Sequence, residues 1–135
     1  FKKLGRSQEM KLHIDNLNSE DFDIFHSHGL WMMPNIYPNN ICQKLNKIHV
    51  IAPRGTLYPA ALKFSKIKKF FFWNLYQKKV LKQANAFHAT SKDEAKHIRN
   101  LGFKQPIIIC KNGIKVEHSK KEYMKTPLKK IIYAW

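Results

Sequence analysis

The chain alternates short apolar runs with longer helix-like stretches, and this alternation limits the folds that are open to it. The apolar runs lie at residues 22–28, 49–52, 86–90 and 107–110. Between them, the spacing of apolar residues predicts helices over about 35–47 and 65–84 and from residue 91 onward. Strands that alternate with helices of this length form βαβ units and a parallel sheet. The sequence therefore predicts an α/β fold, a Rossmann-like parallel sheet flanked by helices.

Two local signals mark the ends of the helix that begins near Ser91. Ser91 with Glu94 three residues later is typical of a capping box, in which each side chain binds the other residue's backbone N–H. Gly102 is typical of the left-handed residue that follows a last helical turn. The next run, residues 107–110, is apolar without alternation, which predicts a strand buried on both faces.

The length of 135 residues allows one domain with a sizeable core and leaves no room for a complete second domain. We expect residues 1–117 to form an incomplete Rossmann-like domain. Residues 118–129 are polar and basic and contain Pro127, so they are predicted to form a linker. Residues 130–135 are predicted to form the first strand of a truncated second domain. The chain starts at Phe1 instead of Met, and no signal peptide is visible.

The net charge of +16 favours anionic partners, and the arginine content indicates which class of partner to expect. Only three of the 25 basic residues are arginine, whereas dedicated nucleic-acid binders favour the planar guanidinium. We therefore expect no specific nucleic acid partner and some attraction to an anionic membrane leaflet. No apolar run reaches the length of about 20 residues that spans a bilayer. Two cysteines form neither a disulfide framework nor a zinc site, so reduced thiols in a cytosolic protein are predicted.

Polar residues and glycines follow the predicted strands, at the edge where open α/β sheets bind ligands. The four clusters are HSHGLW at residues 26–31, PRGT at 53–56, TS at 90–91 and KNG at 111–113. In this order and spacing, they resemble the N-terminal domain of family-four glycosyltransferases of the GT-B fold. The resemblance runs from about residue 21 to residue 116. Within the family, the chain is most similar to enzymes that build bacterial surface polysaccharide or lipopolysaccharide.

The resemblance implies retaining transfer of a sugar from a nucleotide-sugar donor to a glycan or lipid-linked acceptor, between two Rossmann-like domains and without a required metal. It also implies that the family's first strand and glycine-rich loop lie upstream of Phe1 and that the donor-binding domain lies beyond Trp135. We therefore expect a glycosyltransferase fragment that is inactive alone, with no cofactor apart from the donor substrate. The alternatives are a non-catalytic remnant or acceptor-side module, a basic nucleic-acid-binding domain, and an epimerase of the same fold.

The resemblance places Arg54 near the transferred sugar and the diphosphate, and Arg54 and His28 are the two catalytic candidates. The Arg54 guanidinium would neutralise the leaving diphosphate, or it would brace a loop through backbone carbonyls. His28 would bind a sugar hydroxyl, or it would be a structural histidine. His26 and His28 alone are too few to hold zinc, so no metal site is predicted. The substrate-binding candidates are Gly29, Trp31, Gly55, Thr56, Ser91, Asn112 and Gly113.

Some of these candidates have a simpler structural interpretation. Trp31 would stack on a sugar ring or pack against the core. Ser91 is explained by helix capping, and Asn112 with Gly113 is explained by a turn. The sequence alone leaves these alternatives open.

Residues 66–73 combine lysines with four consecutive aromatic residues, more than one core-facing stripe of a helix requires. Aromatic rings beside ammonium groups are typical of a membrane interface. The membrane-contact candidates are Lys68, Lys69, Phe70 and Phe71. They would suit a lipid-linked acceptor and a cytoplasmic protein at the inner face of the cell membrane. The alternative is a core helix with a lysine-rich exposed rim.

Overall fold

The computed structural model describes residues 4–113 and 130–134, which form a five-stranded parallel sheet with helices packed on it. The strands are β1 (Ile24–His28), β2 (Ile48–Ala52), β3 (Ala86–Ala89), β4 (Ile107–Ile109) and β5 (Ile131–Ala134). Their order across the sheet is β4-β3-β2-β1-β5, and all neighbours pair in parallel. This architecture confirms the predicted Rossmann-like α/β fold.

One helix precedes β1, and helices lie in the connections from β1 to β2, from β2 to β3 and from β3 to β4, as βαβ units require. They are α1 (Gln8–Asp15), α2 (Tyr37–Lys44), α3 (Pro59–Lys63), α4 (Lys66–Phe72), α5 (Lys78–Gln83) and α6 (Lys92–Asn100). A 3-10 turn, Met33–Asn35, precedes α2, and a π-helical turn, Trp73–Gln77, joins α4 to α5. The predicted helix over 65–84 is therefore present as three contiguous segments. Among the described residues, no helix is long and apolar enough to cross a membrane.

The core lies on the side of the sheet that the helices cover. Phe25, Ile51 and Phe87, one from each of the three central strands, are almost completely buried there. Phe25 packs with residues of α1 and α2, whereas Ile51 and Phe87 pack with residues of α5 and α6. Because side chains alternate along a strand, His26 and His88 project to the opposite side, where they are only partly buried. The histidines near the predicted site thus share the less covered face of the sheet.

Both edge strands differ from what the sequence led us to expect. Ile108 and Ile109 in β4 are about half exposed, because β4 is an edge strand and is not buried on both faces as predicted. We expected residues 130–135 to begin a second domain. The structure instead places Ile131–Ala134 in the same sheet, beside β1, where they pair with its backbone groups. The predicted linker, residues 118–129, lies outside the described residues.

Helix α6 has the ends that its sequence predicts. Ser91 Oγ accepts from Glu94 N at 3.1 Å, and Gly102 has a left-handed φ of +86°. The predicted bond from Glu94 to the backbone of Ser91 is replaced by bonds to neighbouring loops. The Glu94 carboxylate accepts from Thr90 N at 2.7 Å and from Gly55 N at 2.6 Å. Glu94 thereby connects the start of α6 to the turn that follows β2.

Candidate functional site

The carboxyl ends of β1, β2 and β4 bring together three residues that the sequence predicted for the site. His28 ends β1, Arg54 lies in the turn after β2, and Asn112 follows β4. The Arg54 Nε and Nη2 atoms lie 3.1 and 3.0 Å from His28 Nδ1, and Arg54 Nη1 donates to Asn112 Oδ1. Because a guanidinium only donates, His28 Nδ1 is the acceptor, and the neutral ring carries its proton on Nε2. We call these three residues the Arg54 cluster.

The turn that carries Arg54 has an unusual backbone. Arg54 and Gly55 have φ values of +54° and +76°, in the left-handed region that residues with a Cβ rarely adopt. Thr56 Oγ1 donates to Pro53 O at 2.6 Å within the turn. A Cβ added at Gly55 would lie 3.5 Å from the Tyr58 ring, which is an ordinary contact, so Gly55 is required for its φ and not for lack of space. The left-handed conformation of Arg54 costs about 1 kcal/mol, which the surrounding bonds offset.

Glu94 is a buried carboxylate behind this turn, with only 1% of its surface exposed. One carboxylate oxygen accepts from Gly55 N at 2.6 Å, and the other accepts from Thr90 N at 2.7 Å and Thr90 Oγ1 at 2.8 Å. These three donors compensate for the removal of the charge from water. Glu94 is therefore a positioning residue, which holds the turn after β2 against the end of β3. The sequence assigned it only to helix capping.

Two further histidines, His26 and His88, extend the Arg54 cluster across the sheet. The His26 ring centroid lies 4.3 Å from that of His28 and 5.2 Å from that of His88. Burial lowers the pKa of His26 to about 4, with further contributions from His28, His88 and Arg54. Burial, followed by the Arg54 guanidinium, also lowers the pKa of His28. The His26 and His28 rings are therefore neutral near pH 7, and Arg54 supplies the positive charge of the cluster.

Two further substrate-binding candidates have their hydrogen bonds within the protein. Gly29 N continues the pairing of β1 by donating to Ala52 O at 2.8 Å, and Gly29 has a φ of +78°. Ser91 Oγ lies 3.2 Å from Tyr58 OH in addition to capping α6. Gly113 is exposed at the end of the described segment. The predicted candidates thus surround one edge of the sheet, and His28, Arg54 and Asn112 are the three whose side chains bond to one another.

Trp31 is held by protein groups on several sides. Its backbone N donates to Gln77 Oε1 at 3.0 Å, and its Nε1 donates to Thr56 O at 3.4 Å. Lys69 Nζ lies 5.3 Å from the ring centroid, and the Trp73 ring centroid lies 5.9 Å away. These contacts favour the packing role of Trp31 over stacking on a sugar ring.

The four membrane-contact candidates divide into two groups. Lys68, Phe70 and Phe71 are exposed. Lys69 is partly buried, and its Nζ donates to Ala61 O and lies over the Trp31 ring. Lys69 is therefore engaged within the protein, and its contact with a membrane stays a prediction.

Two surface depressions lie apart from the Arg54 cluster. The larger one has a volume of about 570 Å³ and is lined by residues that include Lys78 and Phe103. The smaller one, of about 180 Å³, lies beside Trp31 and Phe70. No residue of the Arg54 cluster lines either of them, so hydrogen-bond geometry and not cavity size locates the candidate site. Among the residues that the structure describes, no group of three or more His, Cys, Asp or Glu side chains is arranged to hold a metal ion.

Comparison with known proteins identifies the family. The family model described as Glycosyltransferase Family 4 matches residues 3–118. Searches of curated proteins and of solved structures found no match. The matched range contains β1 to β4, all six helices and the whole Arg54 cluster. Because the match covers most of the chain and the fold is the Rossmann-like one that the family resemblance implied, the chain belongs to Glycosyltransferase Family 4.

Proposed function

We propose that this chain is the acceptor-side part of a retaining glycosyltransferase whose donor is a sugar nucleotide. The observation that carries the proposal is the Arg54 cluster, in which the guanidinium at the sheet edge bonds to two neutral acceptors, His28 and Asn112. A cation held by neutral groups keeps its charge for an anionic ligand. In a family of enzymes that transfer sugars, the diphosphate of a nucleotide sugar has the charge that this site requires.

Arg54 would stabilise the diphosphate as it leaves. Negative charge grows on the diphosphate oxygens when the glycosidic bond breaks, and a guanidinium binds two such oxygens through parallel N–H donors. Arg54 Nη1 now donates to the exposed Asn112, a partner that a ligand oxygen can displace. His28 is buried and accepts from Arg54, so it orients the guanidinium from behind.

The acceptor in this proposal is a hydroxyl of a glycan or of a lipid-linked sugar, in the assembly of bacterial surface polysaccharide or lipopolysaccharide at the cytoplasmic side of the membrane. The family resemblance of the strand-end clusters supports this assignment. In the two-domain arrangement that the resemblance implies, the second domain recognises the sugar and base of the donor. We therefore expect no transfer by this chain alone, and binding of a diphosphate is the direct test of its site.

Titration calorimetry of the full chain with inorganic pyrophosphate, UDP, GDP and ADP measures the role of Arg54. We expect Arg54→Ala to weaken binding at least about tenfold, because a charge-assisted bidentate contact is lost. Arg6→Ala is the matched control, since it removes the same charge from an exposed position before α1. It should leave the affinity within about twofold, because Arg6 is exposed and is not part of the Arg54 cluster.

Two outcomes would overturn this assignment. Equal losses of affinity in Arg54→Ala and Arg6→Ala would show that the effect comes from the change in net charge and not from the position of Arg54. Unchanged binding in Arg54→Ala would remove Arg54 from diphosphate recognition.

A further inference from the structure

Five large, exposed apolar side chains lie within residues 64–75, from the end of α3 through α4 to the π-helical turn. Each of them is between 60% and 75% exposed. They are Phe64, Ile67, Phe70, Phe71 and Leu75. Large apolar side chains that are scattered singly over a surface need no explanation, whereas a cluster of this kind marks an interaction site. We call these five residues the apolar patch.

Three residues of the apolar patch have a spacing that places them on one face of a helix. Ile67, Phe71 and Leu75 are four residues apart, which puts them one above another. The opposite face is already packed, because Phe72, Gln77 and Val80 are buried. The helix therefore has a complete core-facing side, and the apolar patch is not needed to fill the core.

The chain segment that contains the apolar patch has basic residues and no acidic ones. Residues 63–82 contain seven lysines and no Asp or Glu, and the whole stretch from residue 24 to residue 92 contains no acidic residue. Lys66 and Lys68 are exposed in the same helix as the patch, whereas Lys69 is held by Ala61 and Trp31. The surface is thus an apolar centre with a cationic rim.

We propose that the apolar patch docks on the surface of an anionic lipid bilayer. Aromatic and aliphatic side chains enter the region between headgroups and acyl chains, while the ammonium groups of the rim meet anionic headgroups. A second copy of this chain is a poor occupant, because each copy carries a net charge of +16 and the copies repel. The helix lies on the surface, since none of the described helices is long and apolar enough to span a bilayer.

Docking in this orientation connects the membrane to the candidate site. Trp31 contacts Lys69 and Trp73 on the side of α4, and its Nε1 donates to Thr56 O in the turn that carries Arg54. The strand-end loops therefore lie next to the docked surface. Docking itself does not rest on the proposed function, because it requires only the exposed patch and its charges.

Sedimentation of the full chain with phosphatidylcholine vesicles, with and without phosphatidylglycerol, tests the proposal. We expect binding to the anionic vesicles that weakens with added salt, and little binding to phosphatidylcholine alone. The double variant Phe70→Ser/Phe71→Ser should lower the affinity for anionic vesicles at least about tenfold. The control Leu12→Ser/Ile108→Ser removes two exposed apolar side chains outside the apolar patch and should leave the affinity unchanged.

Charge reversal supplies an independent pair of variants that leaves the apolar residues in place. Lys66→Glu/Lys68→Glu should abolish the preference for anionic vesicles, whereas Lys44→Glu/Lys92→Glu, at exposed positions elsewhere, should reduce it only slightly. Wild-type binding by Phe70→Ser/Phe71→Ser, or equal binding to neutral vesicles, would overturn the proposal. Self-association of the wild type that the same double variant removes would assign the patch to a second copy instead.

Discussion

The loops around the Arg54 cluster and the apolar patch are neighbours through Trp31, yet their side chains are arranged in opposite ways. In the loops, polar groups are bonded within the protein, as when the Glu94 carboxylate accepts three hydrogen bonds. In the apolar patch, five large apolar side chains are exposed although the other face of the same helix is packed. The fold orders one region through internal bonds and leaves the other to make its contacts outside the chain.

Because of this difference, substitutions in the two regions should affect different properties, the stability of the fold in one and binding by the surface in the other. A side chain that holds the loops or fills the core stabilises the fold, so its removal should lower the free energy of unfolding. A side chain of the apolar patch is exposed in both the folded and the unfolded chain, so its removal should change only what the surface binds. Pairs of neighbouring residues, one buried and one exposed, test this expectation directly.

Phe72 and Phe71 are the sharpest such pair, because they are sequence neighbours with opposite burial. Phe72 is 6% exposed and packs near Trp31 and Tyr76, whereas Phe71 is 60% exposed. We expect Phe72→Ala to lower the free energy of unfolding by about 3 kcal/mol, because it leaves a cavity. Phe71→Ala should change it by less than about 0.5 kcal/mol. Urea denaturation measures both, and equal losses would show that Phe71 belongs to the core.

Glu94 and Asp93 make the same comparison for acidic residues at the start of α6. Glu94→Ala leaves Gly55 N and Thr90 N without their acceptor, and we expect a loss of about 2 kcal/mol. Asp93 is exposed and only faces Lys96 at 3.6 Å, so Asp93→Ala should cost less than about 0.5 kcal/mol.

Glu94→Gln adds a test of how the carboxylate acts. A glutamine has one acceptor oxygen and cannot serve both loops, so we expect a loss of about 1 kcal/mol, between those of the other two variants. Thermal denaturation of the three proteins would show this order. A Glu94→Ala variant as stable as Asp93→Ala would mean that the turn after β2 holds its shape without the carboxylate.

The strands and helices were predictable because apolar periodicity reports burial on one face of an element. The sheet edges were not predictable in this way. Residues 107–110 are apolar, but only the tertiary arrangement shows that β4 has no neighbour on one side in the described structure. The pattern of residues 130–135 predicted a strand, but a sequence pattern does not indicate which edge of a sheet a strand joins. The structure pairs Ile131–Ala134 with β1.

The Arg54 cluster was partly predictable because the carboxyl ends of parallel strands share one edge of a sheet. This rule grouped His28, Arg54 and Asn112 without giving their bonds. It could not show that Glu94 bonds the turn after β2 as well as the residue before the N-cap, since a capping residue has the same sequence pattern. The rule also did not predict that His88 contacts His26. The two rings can meet because only β2 lies between β3 and β1, and the sequence does not give this strand order.

The histidines beside the Arg54 cluster make that region sensitive to pH, whereas the apolar patch contains no titratable side chain. Burial lowers the pKa of His26 to about 4, and burial likewise lowers the pKa of His49, which lies on the core side of the sheet against Phe25, to about 4. The unfolded chain, with histidine pKa values near 6.5, therefore binds more protons than the folded chain between about pH 6.5 and pH 4. The stability is complete above about pH 6.5 and falls as the pH decreases through this window.

Removal of one of these rings should make the free energy of unfolding depend less strongly on pH. In His26→Gln, we expect the loss of stability between pH 7 and about pH 5.5 to be smaller than in the wild type by about 1 kcal/mol, a value reduced for solvent screening because the ring is only partly buried. His49 continues to titrate in the variant, so some pH dependence should remain. Urea denaturation at each pH gives the slopes, and NMR titration of the His26 ring gives its pKa directly. Identical slopes in the two proteins, with a His26 pKa near 6.5, would mean that the ring is solvated and that the strand-end loops are as open to water as the apolar patch.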